Sequence, residues 1–333
     1  MADASIHHLN VVTIGGGTGS FTLLSRFKEY FTGLTAVVNM ADDGGSTGLL
    51  RDELGVLPPG DVRQCLVALS DAPELRALFN YRFSEGSLKG QSFGNLFLSA
   101  AEKVGQDFET AVELASHVLR IHGKVVPVTT DRSELVLHWG AETIRGEYRI
   151  GNLDFGDRTR PKLSLEPTAH LSRAAQDAIL AADYVVIAPG NLYGSLAPAL
   201  IVDGMAEVLD STEATVLYAC NLVTKPGQTD GFKVHDYAAE IERFVGRPVL
   251  DYVLYNTDRP DQAVLDKYIH AGELLVEADP RKLSVASYEA IGLPLIAHDF
   301  VSPDRKGDAI AASRTLIRHD AATLATAIQQ LHA

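Results

Sequence analysis

The amino-acid sequence predicts an α/β fold, in which a mostly parallel sheet is covered by helices on both faces and carries a small antiparallel β insertion. Two observations support this prediction. Short β-branched runs alternate with helix-like segments along most of the 333 residues, and repeated strand–helix units build parallel sheets. In addition, five of the predicted strands end in loops rich in Gly, Asn, Asp and Ser, a composition that favours ligand binding at the carboxyl edge of such a sheet.

The first strand–loop–helix unit contains the most distinctive loop of the chain. A strand at about residues 10–14 leads into Gly15-Gly16-Gly17-Thr18-Gly19-Ser20, and a helix follows to about residue 30. Successive glycines leave backbone N–H groups bare, and the helix dipole places its positive end at the same point. We therefore expect Gly15, Gly16, Gly17, Thr18, Gly19 and Ser20 to hold a phosphate. Ser20 replaces the last small residue of a dinucleotide fingerprint, and no Lys follows as in a Walker A loop, so a plain connecting turn is the alternative.

The second predicted strand, at about residues 34–39, ends in a loop with two adjacent carboxylates. Its sequence is Met40-Ala41-Asp42-Asp43-Gly44-Gly45-Ser46-Thr47-Gly48. The loop lies roughly twenty residues after the first, the position of a ribose-binding acid in dinucleotide folds, and paired carboxylates also suit a divalent cation such as Mg²⁺. Asp42 and Asp43 are thus the predicted catalytic and metal-binding residues, with a turn of two solvated acids as the alternative.

Helical patterns fill the stretch that follows the acidic loop. Pro58-Pro59-Gly60-Asp61 reads as a rigid turn, and Asp61 is the expected N-cap of the next helix. Asn95 lies at a later helix start, where it is expected to cap the helix or to reach a ligand. The helices predicted here span residues 62–70, 73–80, 94–104 and 107–122.

The pattern changes between residues 125 and 166. Residues 125–129, 134–139 and 143–150 read as strands at short spacing without helices between them, which is typical of antiparallel structure. We therefore expect a β-rich insertion or subdomain at 125–166, within a single domain that spans residues 1–333.

The strand–helix alternation then resumes and supplies a second glycine loop. A helix at 171–182 precedes a strand at 184–188, which ends in Pro189-Gly190-Asn191-Leu192-Tyr193-Gly194-Ser195 before a long apolar helix to about residue 209. Loop amides there suit a second phosphate or a sugar, and Ser195 or Asn191 is expected to cap the helix. The remaining predicted elements are strands at 215–220, 251–255 and 294–298 and helices at 262–270 and 321–331. From this half of the chain we expect ligand contacts by Pro189, Gly190, Asn191, Tyr193, Ser195, Asn221 and Lys225.

Composition limits the class of partner. The chain has 29 Lys and Arg against 43 Asp and Glu, a net charge of −14, which disfavours nucleic acid and anionic membranes as partners. No stretch is apolar for long enough to insert into a bilayer, and two distant cysteines without a CxxC pattern favour a reduced, cytoplasmic protein. The sequence contains no nucleophile elbow and no His/Cys metal motif. The expected partner is a small nucleotide ligand, and a homodimer is left open.

Taken together, these motifs resemble the gluconeogenesis factor family (YvcK-like), which belongs to the superfamily of CofD-like 2-phospho-L-lactate transferases. The resemblance runs from about Asn10 to Asp320. It rests on the two glycine loops, the acidic loop and the segments 58–61, 79–83, 94–96, 221–227 and 317–320. The loop at 189–195 departs from the family at Asn191 and Gly194, where Ser and Thr are usual.

The resemblance implies a Rossmann-like three-layer αβα fold in a cytoplasmic bacterial protein. It also implies binding of nucleotide sugars of the UDP-N-acetylglucosamine type and a link to gluconeogenic growth, cell shape and peptidoglycan synthesis. By the same resemblance, Tyr268 and Arg318 are expected to contact the nucleotide sugar.

Three functions are compatible with these motifs. The first is a nucleotide-sugar-binding regulatory factor with little or no turnover. The second is a Mg²⁺-dependent transferase that moves a phospholactyl or enolpyruvyl-phosphate group from a guanosine diphosphate carrier to a deazaflavin. In that enzyme, the acidic pair of the family matches Asp42 and Asp43. The third, a nicotinamide-dependent dehydrogenase, rests on the first glycine loop alone, which is a weak signal.

Overall fold

The structure is a computed structural model that describes residues 7–156, 159–298 and 317–332. The strands in these ranges are β1 (His7–Gly15), β2 (Phe31–Val38), β3 (Lys124–Pro127), β4 (Glu134–Trp139), β5 (Glu142–Arg145), β6 (Lys162–Glu166), β7 (Tyr184–Ile187), β8 (Thr215–Ala219), β9 (Tyr252–Asn256) and β10 (Glu289–Leu293).

The helices in the same ranges flank these strands. They are α1 (Gly17–Phe27), α2 (Gly45–Leu54), α3 (Gly60–Leu69), α4 (Pro73–Asn80), α5 (Phe93–Gly105), α6 (Phe108–Leu119), α7 (Glu147–Gly151), α8 (Arg173–Leu180), α9 (Ala197–Leu200), α10 (Met205–Ser211), α11 (Val234–Val245), α12 (Gln262–His270), α13 (Pro280–Leu283) and α14 (Ala321–His332). A π-helical turn, Leu192–Leu196, precedes α9.

The main sheet confirms the predicted α/β class. Within the described ranges it has seven strands in the order β3-β2-β1-β7-β8-β9-β10, and each neighbouring pair is parallel. The chain runs outward from β1 to β3 and then returns to the other side of β1 at β7. The strand order therefore reverses between β1 and β7, which is where ligands bind in open α/β sheets.

Burial of the central strands explains why they read as continuous apolar runs. The residues 11–14 of β1 and the whole of β7 are nearly inaccessible to solvent, as expected of parallel strands covered on both faces. On one side of β1, α1 buries Leu23, Leu24 and Phe27 and packs against α3 and α14.

The antiparallel insertion exists but is smaller than predicted. In the described part of the chain its sheet has the order β5-β4-β6. The predicted strand at 125–129 corresponds to β3, which pairs in parallel with β2 and so belongs to the main sheet. The predicted strand at 143–150 is also wrong in its second half, because Gly146 turns the chain with φ +97° and α7 follows.

Other predicted elements differ in extent. The long helix predicted up to residue 209 is divided into a π-helical turn, α9 and α10. Pro198 lies at the start of α9, and Gly204 is the N-cap of α10. The predicted strand at 294–298 is wrong: the last strand, β10, ends at Leu293, directly before Pro294. The sequence does not predict the helices α2, α7, α11 and α13 or the strand β6. In contrast, α4 and α12 have the predicted bounds.

A membrane-crossing helix is not found in the described ranges, since none of their helices combines the necessary length and apolarity.

Candidate functional site

The two glycine loops meet at the carboxyl edge of the sheet. The first follows β1 and the second follows β7, and these two strands are neighbours. A Cβ on Gly19 would overlap the carbonyl oxygen of Pro189, so the loops are in direct backbone contact. The two glycine loops therefore meet at the point where the strand order reverses, and the surface between them and the acidic loop is called the cleft below.

Ser20 is the last residue of the first loop and is buried under its glycines. Its side chain is 2% exposed, and its Oγ has no hydrogen-bond partner in the described part of the chain. That oxygen is 2.9 Å from the position that a Cβ would take on Gly15. Of the other loop residues, Gly17 and Gly19 are partly exposed and Thr18 is exposed, so backbone at 17–19 faces the cleft.

Asp61 is part of this site, which the sequence did not indicate. It is not the N-cap of α3, since Pro59 occupies that position and Asp61 lies in the first turn. Its buried carboxylate accepts a hydrogen bond from the Gly17 N–H and lies 3.5 Å from Asn39 Nδ2. A Cβ on Gly16 would overlap this carboxylate, so the glycine permits the close approach.

Asp42 is the neighbour of Asp61 in this cleft. Its Oδ1 accepts from the Gly44 N–H at 3.0 Å, and its carboxylate also accepts from the Thr47 hydroxyl. A Cβ on Gly60 would overlap Asp42 Oδ2, which brings the two carboxylates close together. Burial, followed by the charge of Asp42, raises the pKa of Asp61 to about 7. Burial also raises the pKa of Asp42.

Asp43 points to the insertion instead. Its Oδ1 accepts from the Tyr148 N–H at 2.7 Å, and its Oδ2 lies 3.9 Å from Arg51 Nη1. The structure therefore gives the two adjacent acids different hydrogen-bond partners, and the charge of Asp42 acts on both Asp43 and Asp61 through space.

Glu147, the first residue of α7, is a second acid that the sequence analysis missed. Its Oε1 lies 2.6 Å from the position that a Cβ would take on Gly194 and 3.5 Å from that on Gly151. Burial raises the pKa of Glu147 to about 8, with further contributions from the charges of Asp42, Asp61 and Asp43. The residues 143–150 were interpreted as a strand, and only an acidic residue directly after a glycine signalled a helix start there.

Asn191 and Asn221 hold the second glycine loop in place, and Lys225 binds the neighbouring Gly151 of α7. Asn191 Oδ1 accepts from the Gly194 N–H at 3.2 Å and caps the π-helical turn. Asn191 was one of the two predicted caps, together with Ser195. Asn221 Nδ2 donates to the Gly190 carbonyl at 2.7 Å. The Lys225 ammonium donates to the Gly151 carbonyl. Ser195 is partly buried and Pro189 is buried.

Tyr193 lies in the core, which differs from the expected ligand contact. Its ring is fully buried and makes edge-to-face contacts with Phe155 and Phe244. Its hydroxyl donates to Glu240 at 2.9 Å, and Glu240 is also bound by Arg243. The side chain therefore anchors the loop from below instead of facing the cleft.

Asn95 lies behind the acidic loop. It is buried, and its Nδ2 approaches Ser46 Oγ at 3.3 Å and Thr47 Oγ1 at 3.5 Å. Its Oδ1 accepts from the buried Arg63 guanidinium at 2.9 Å. Asn95 thus orients the start of α2 and Arg63, whose positive charge lies close to Asp42 and Asp61.

Tyr268 and the residue before Arg318 lie together at a pocket of about 360 Å³. The Tyr268 hydroxyl accepts from the Ile317 N–H at 3.0 Å. The pocket wall includes Thr224, which immediately precedes Lys225. The structure therefore places Tyr268 and Ile317, the residue before Arg318, beside the loop after β8.

A divalent cation fits the donor set of the cleft. Among residues 7–156, 159–298 and 317–332, no three His, Cys, Asp or Glu side chains converge to hold a metal by themselves. Mg²⁺, however, is usually held by one or two carboxylates together with substrate phosphates and water. Asp42 and Asp61 supply two neighbouring carboxylates next to the phosphate-type loop.

Known proteins resemble this chain along most of its length. Residues 11–300 match the family described as 2-phospho-L-lactate transferase CofD. A Clostridium acetobutylicum protein with the provisional name gluconeogenesis factor is 40% identical over 295 residues, which cover 87% of this chain and 64% of that protein. The gluconeogenesis factor of Halalkalibacterium halodurans is 36% identical over 330 residues, 96% of this chain and 95% of that protein.

A solved structure has the same fold. The crystal structure of a member of the UPF0052 family from Bacillus halodurans matches with a TM-score of 0.87 at 33% identity, covering 97% of this chain and 100% of that one. The chain thus spans the whole of that protein but less than two thirds of the clostridial relative.

Proposed function

The chain belongs to the CofD family and has gluconeogenesis factors among its relatives, and on that premise we propose that it binds a nucleotide sugar of the UDP-N-acetylglucosamine type. It acts as a regulatory factor, located in the cytoplasm, that is linked to gluconeogenic growth, cell shape and peptidoglycan synthesis. The pyrophosphate occupies the cleft between the two glycine loops.

The backbone contact between Gly19 and Pro189 carries this proposal. It brings the start of α1 and the loop at 189–195 to one point of the sheet edge, so a phosphate held by the N–H groups of the first loop would also lie beside the second loop. Two loops at this position are suited to bind adjacent phosphates, because backbone N–H groups and a helix N-terminus attract anions. Tyr268 and Arg318 receive the nucleoside near the pocket beside Thr224.

Thermal shift measurements test the binding. We expect UDP-N-acetylglucosamine at millimolar concentration with Mg²⁺ to raise the melting temperature, because a ligand that binds the folded state stabilises it by mass action. GDP and NAD⁺ in parallel arms distinguish the transferase-type and dehydrogenase-type ligands. A melting temperature unchanged by every UDP-sugar would refute the proposal.

A second candidate function is a Mg²⁺-dependent transferase of the 2-phospho-L-lactate transferase type. The proximity of Asp42 and Asp61 favours it, since two carboxylates beside a phosphate-type loop can hold Mg²⁺ against a diphosphate. When bound there, Mg²⁺ would neutralise negative charge on the leaving diphosphate. The test is product formation from a guanosine diphosphate-linked donor and a deazaflavin acceptor; no product in the presence of Mg²⁺ removes this candidate.

A further inference from the structure

The insertion forms one wall of the cleft through the first residues of α7. The Tyr148 N–H is bound to Asp43 Oδ1 at 2.7 Å, and the Tyr148 carbonyl accepts from Asn152 Nδ2 at 2.7 Å. On the other side, Glu147 Oε1 lies within 2.6 Å of the position that a Cβ would take on Gly194. The two residues therefore bridge the acidic loop and the second glycine loop.

Both side chains of this wall are available to a ligand. In the part of the chain that the structure describes, the partly buried Glu147 carboxyl has neither a hydrogen bond nor an ion pair. The Tyr148 side chain is 62% exposed, and its Cδ2 lies 3.4 Å from the position that a Cβ would take on Gly44. A fixed backbone thus presents an aromatic ring beside a free carboxyl at the mouth of the cleft.

The surrounding charges restrict what can bind against this wall. Asp42, Asp43 and Asp61 all lie close enough to Glu147 to act on its ionisation, and Lys225 is the nearest opposing charge. A second anionic group placed here would be repelled by the acids of this region, which costs free energy. A neutral, hydroxyl-bearing group meets no such penalty, and its hydroxyls can exchange hydrogen bonds with the Glu147 carboxyl, whose protonated form both donates and accepts.

We propose that Glu147 and Tyr148 form the sugar subsite of the cleft. The Tyr148 ring stacks against the apolar face of a pyranose, as aromatic rings do with flat apolar surfaces, and the Glu147 carboxyl forms hydrogen bonds with the sugar hydroxyls. This inference rests on the proposed nucleotide-sugar binding and adds the residues that select the sugar. It also favours a neutral hexose over an anionic phospholactyl group as the part of the ligand that lies here.

Calorimetric titration with UDP and with UDP-N-acetylglucosamine tests the subsite. In the wild-type protein we expect the sugar to tighten binding. Glu147→Ala and Tyr148→Ala should each reduce the ratio of the two Kd values about tenfold, equivalent to ~1.4 kcal/mol. UDP itself should bind these variants as tightly as the wild type, or more tightly to Glu147→Ala, because an acid near the diphosphate has been removed. A purely structural role would instead weaken both ligands.

Two control variants complete the test, and its possible negative results distinguish the proposed function from the sugar subsite. Tyr81→Ala removes another half-exposed tyrosine, and Glu113→Gln removes an exposed acid of α6; both should keep the wild-type ratio. If the wild type binds neither ligand, the proposed function fails. If it binds both but the two α7 variants keep the wild-type ratio, or lose UDP and the UDP-sugar equally, the sugar subsite is overturned.

Discussion

At the scale of single residues, the acids of the cleft differ in what surrounds them. Asp43 is bound by a backbone N–H and lies near Arg51, whereas the charge of Asp42 raises the pKa of Asp61 and the charge of Arg63 opposes this effect. Like charges at short range destabilise the folded protein unless a cation or a proton lies between them. Because the charge of Asp61 opposes folding, ligand binding explains this residue better than a contribution to the stability of the protein does.

Asp61→Asn should separate these two roles. We expect the variant to bind the nucleotide diphosphate in Mg²⁺ at least tenfold more weakly, about 1.4 kcal/mol, because one carboxylate ligand is lost. Its thermal stability should equal or exceed that of the wild type, since Asn is isosteric and removes a like charge beside Asp42. Calorimetry and thermal denaturation measure the two effects.

Asp71→Asn is the matched control for that substitution. Asp71 is an acid outside the cleft that pairs with Lys28 at 2.6 Å, so its loss should lower stability slightly and leave ligand binding unchanged. An Asp61→Asn variant with wild-type affinity would contradict the assignment of Asp61 to the site.

His319 predicts the acid sensitivity of the fold. The imidazole is buried, its Nε2 donates to the Cys220 carbonyl at 2.9 Å, and burial lowers its pKa to about 4. Because the unfolded chain takes up the proton first, near pH 6.5, stability should fall as the pH drops from 6.5 towards 4. The loss amounts to about 3 kcal/mol at the lower limit.

His319→Gln keeps an N–H donor for Cys220 without the titration. We expect its free energy of unfolding, measured by denaturant titration at pH 7 and pH 4.5, to change less with pH than that of the wild type. Equal pH dependence in both proteins would show that His319 is not the group responsible.

At the scale of elements, the decisive contact is the one between the start of α1 and the loop after β7. Gly19 has no side chain and Pro189 contributes its carbonyl group, so the two backbones approach each other closely. Asn221 then fixes Gly190, and Tyr193 anchors the same loop in the core through Glu240. The shape of the cleft thus depends on how β1, β7 and β8 are joined to their loops.

Gly19→Ala should disrupt this contact. The added methyl group would overlap the Pro189 carbonyl, so we expect a loss of about 1–3 kcal/mol in the free energy of unfolding, the usual cost of overpacking. Gly44→Ala is the control, because its methyl group would lie at an ordinary 3.4 Å from Tyr148. Similar melting temperatures for the two variants would contradict the close contact.

At the scale of the whole molecule, the insertion is joined to the main sheet by core contacts as well as by the cleft. Trp139 of β4 contacts Phe155 edge to face, and Phe155 contacts Tyr193 in the same way. Arg160 extends from the segment before β6 to the buried Glu240 of α11 at 2.7 Å. That the chain forms one domain over residues 1–333 stays a prediction.

Trp139, the only tryptophan of the chain, allows a test of this expectation. It reports on the insertion by fluorescence, while far-ultraviolet circular dichroism reports on the helices and the main sheet. We expect the two thermal transitions to coincide, as they do for one cooperative unit. If fluorescence changes well below the circular dichroism transition, the insertion unfolds separately and the single-domain prediction is wrong.

The sequence by itself determined the features that are local in the chain. Alternating strands and helices, both glycine loops, the acidic loop and the cap at Asn191 all follow from short stretches, because strand burial, turn formation and capping depend on neighbouring residues. The order of these units also sufficed to predict a parallel sheet with its polar loops at one edge.

Only the tertiary structure decided which side chains meet at that edge. Asp61 joins Asp42 and the first glycine loop, and Glu147 joins the second, although each lies far from its partners in sequence. The interpretation of Asp61 as a helix cap and of residues 143–150 as a strand followed local signals that packing overrode. Tyr193 likewise follows a glycine loop in sequence but faces the core, because the side-chain direction is set by the π-helical turn and by Glu240 beneath it.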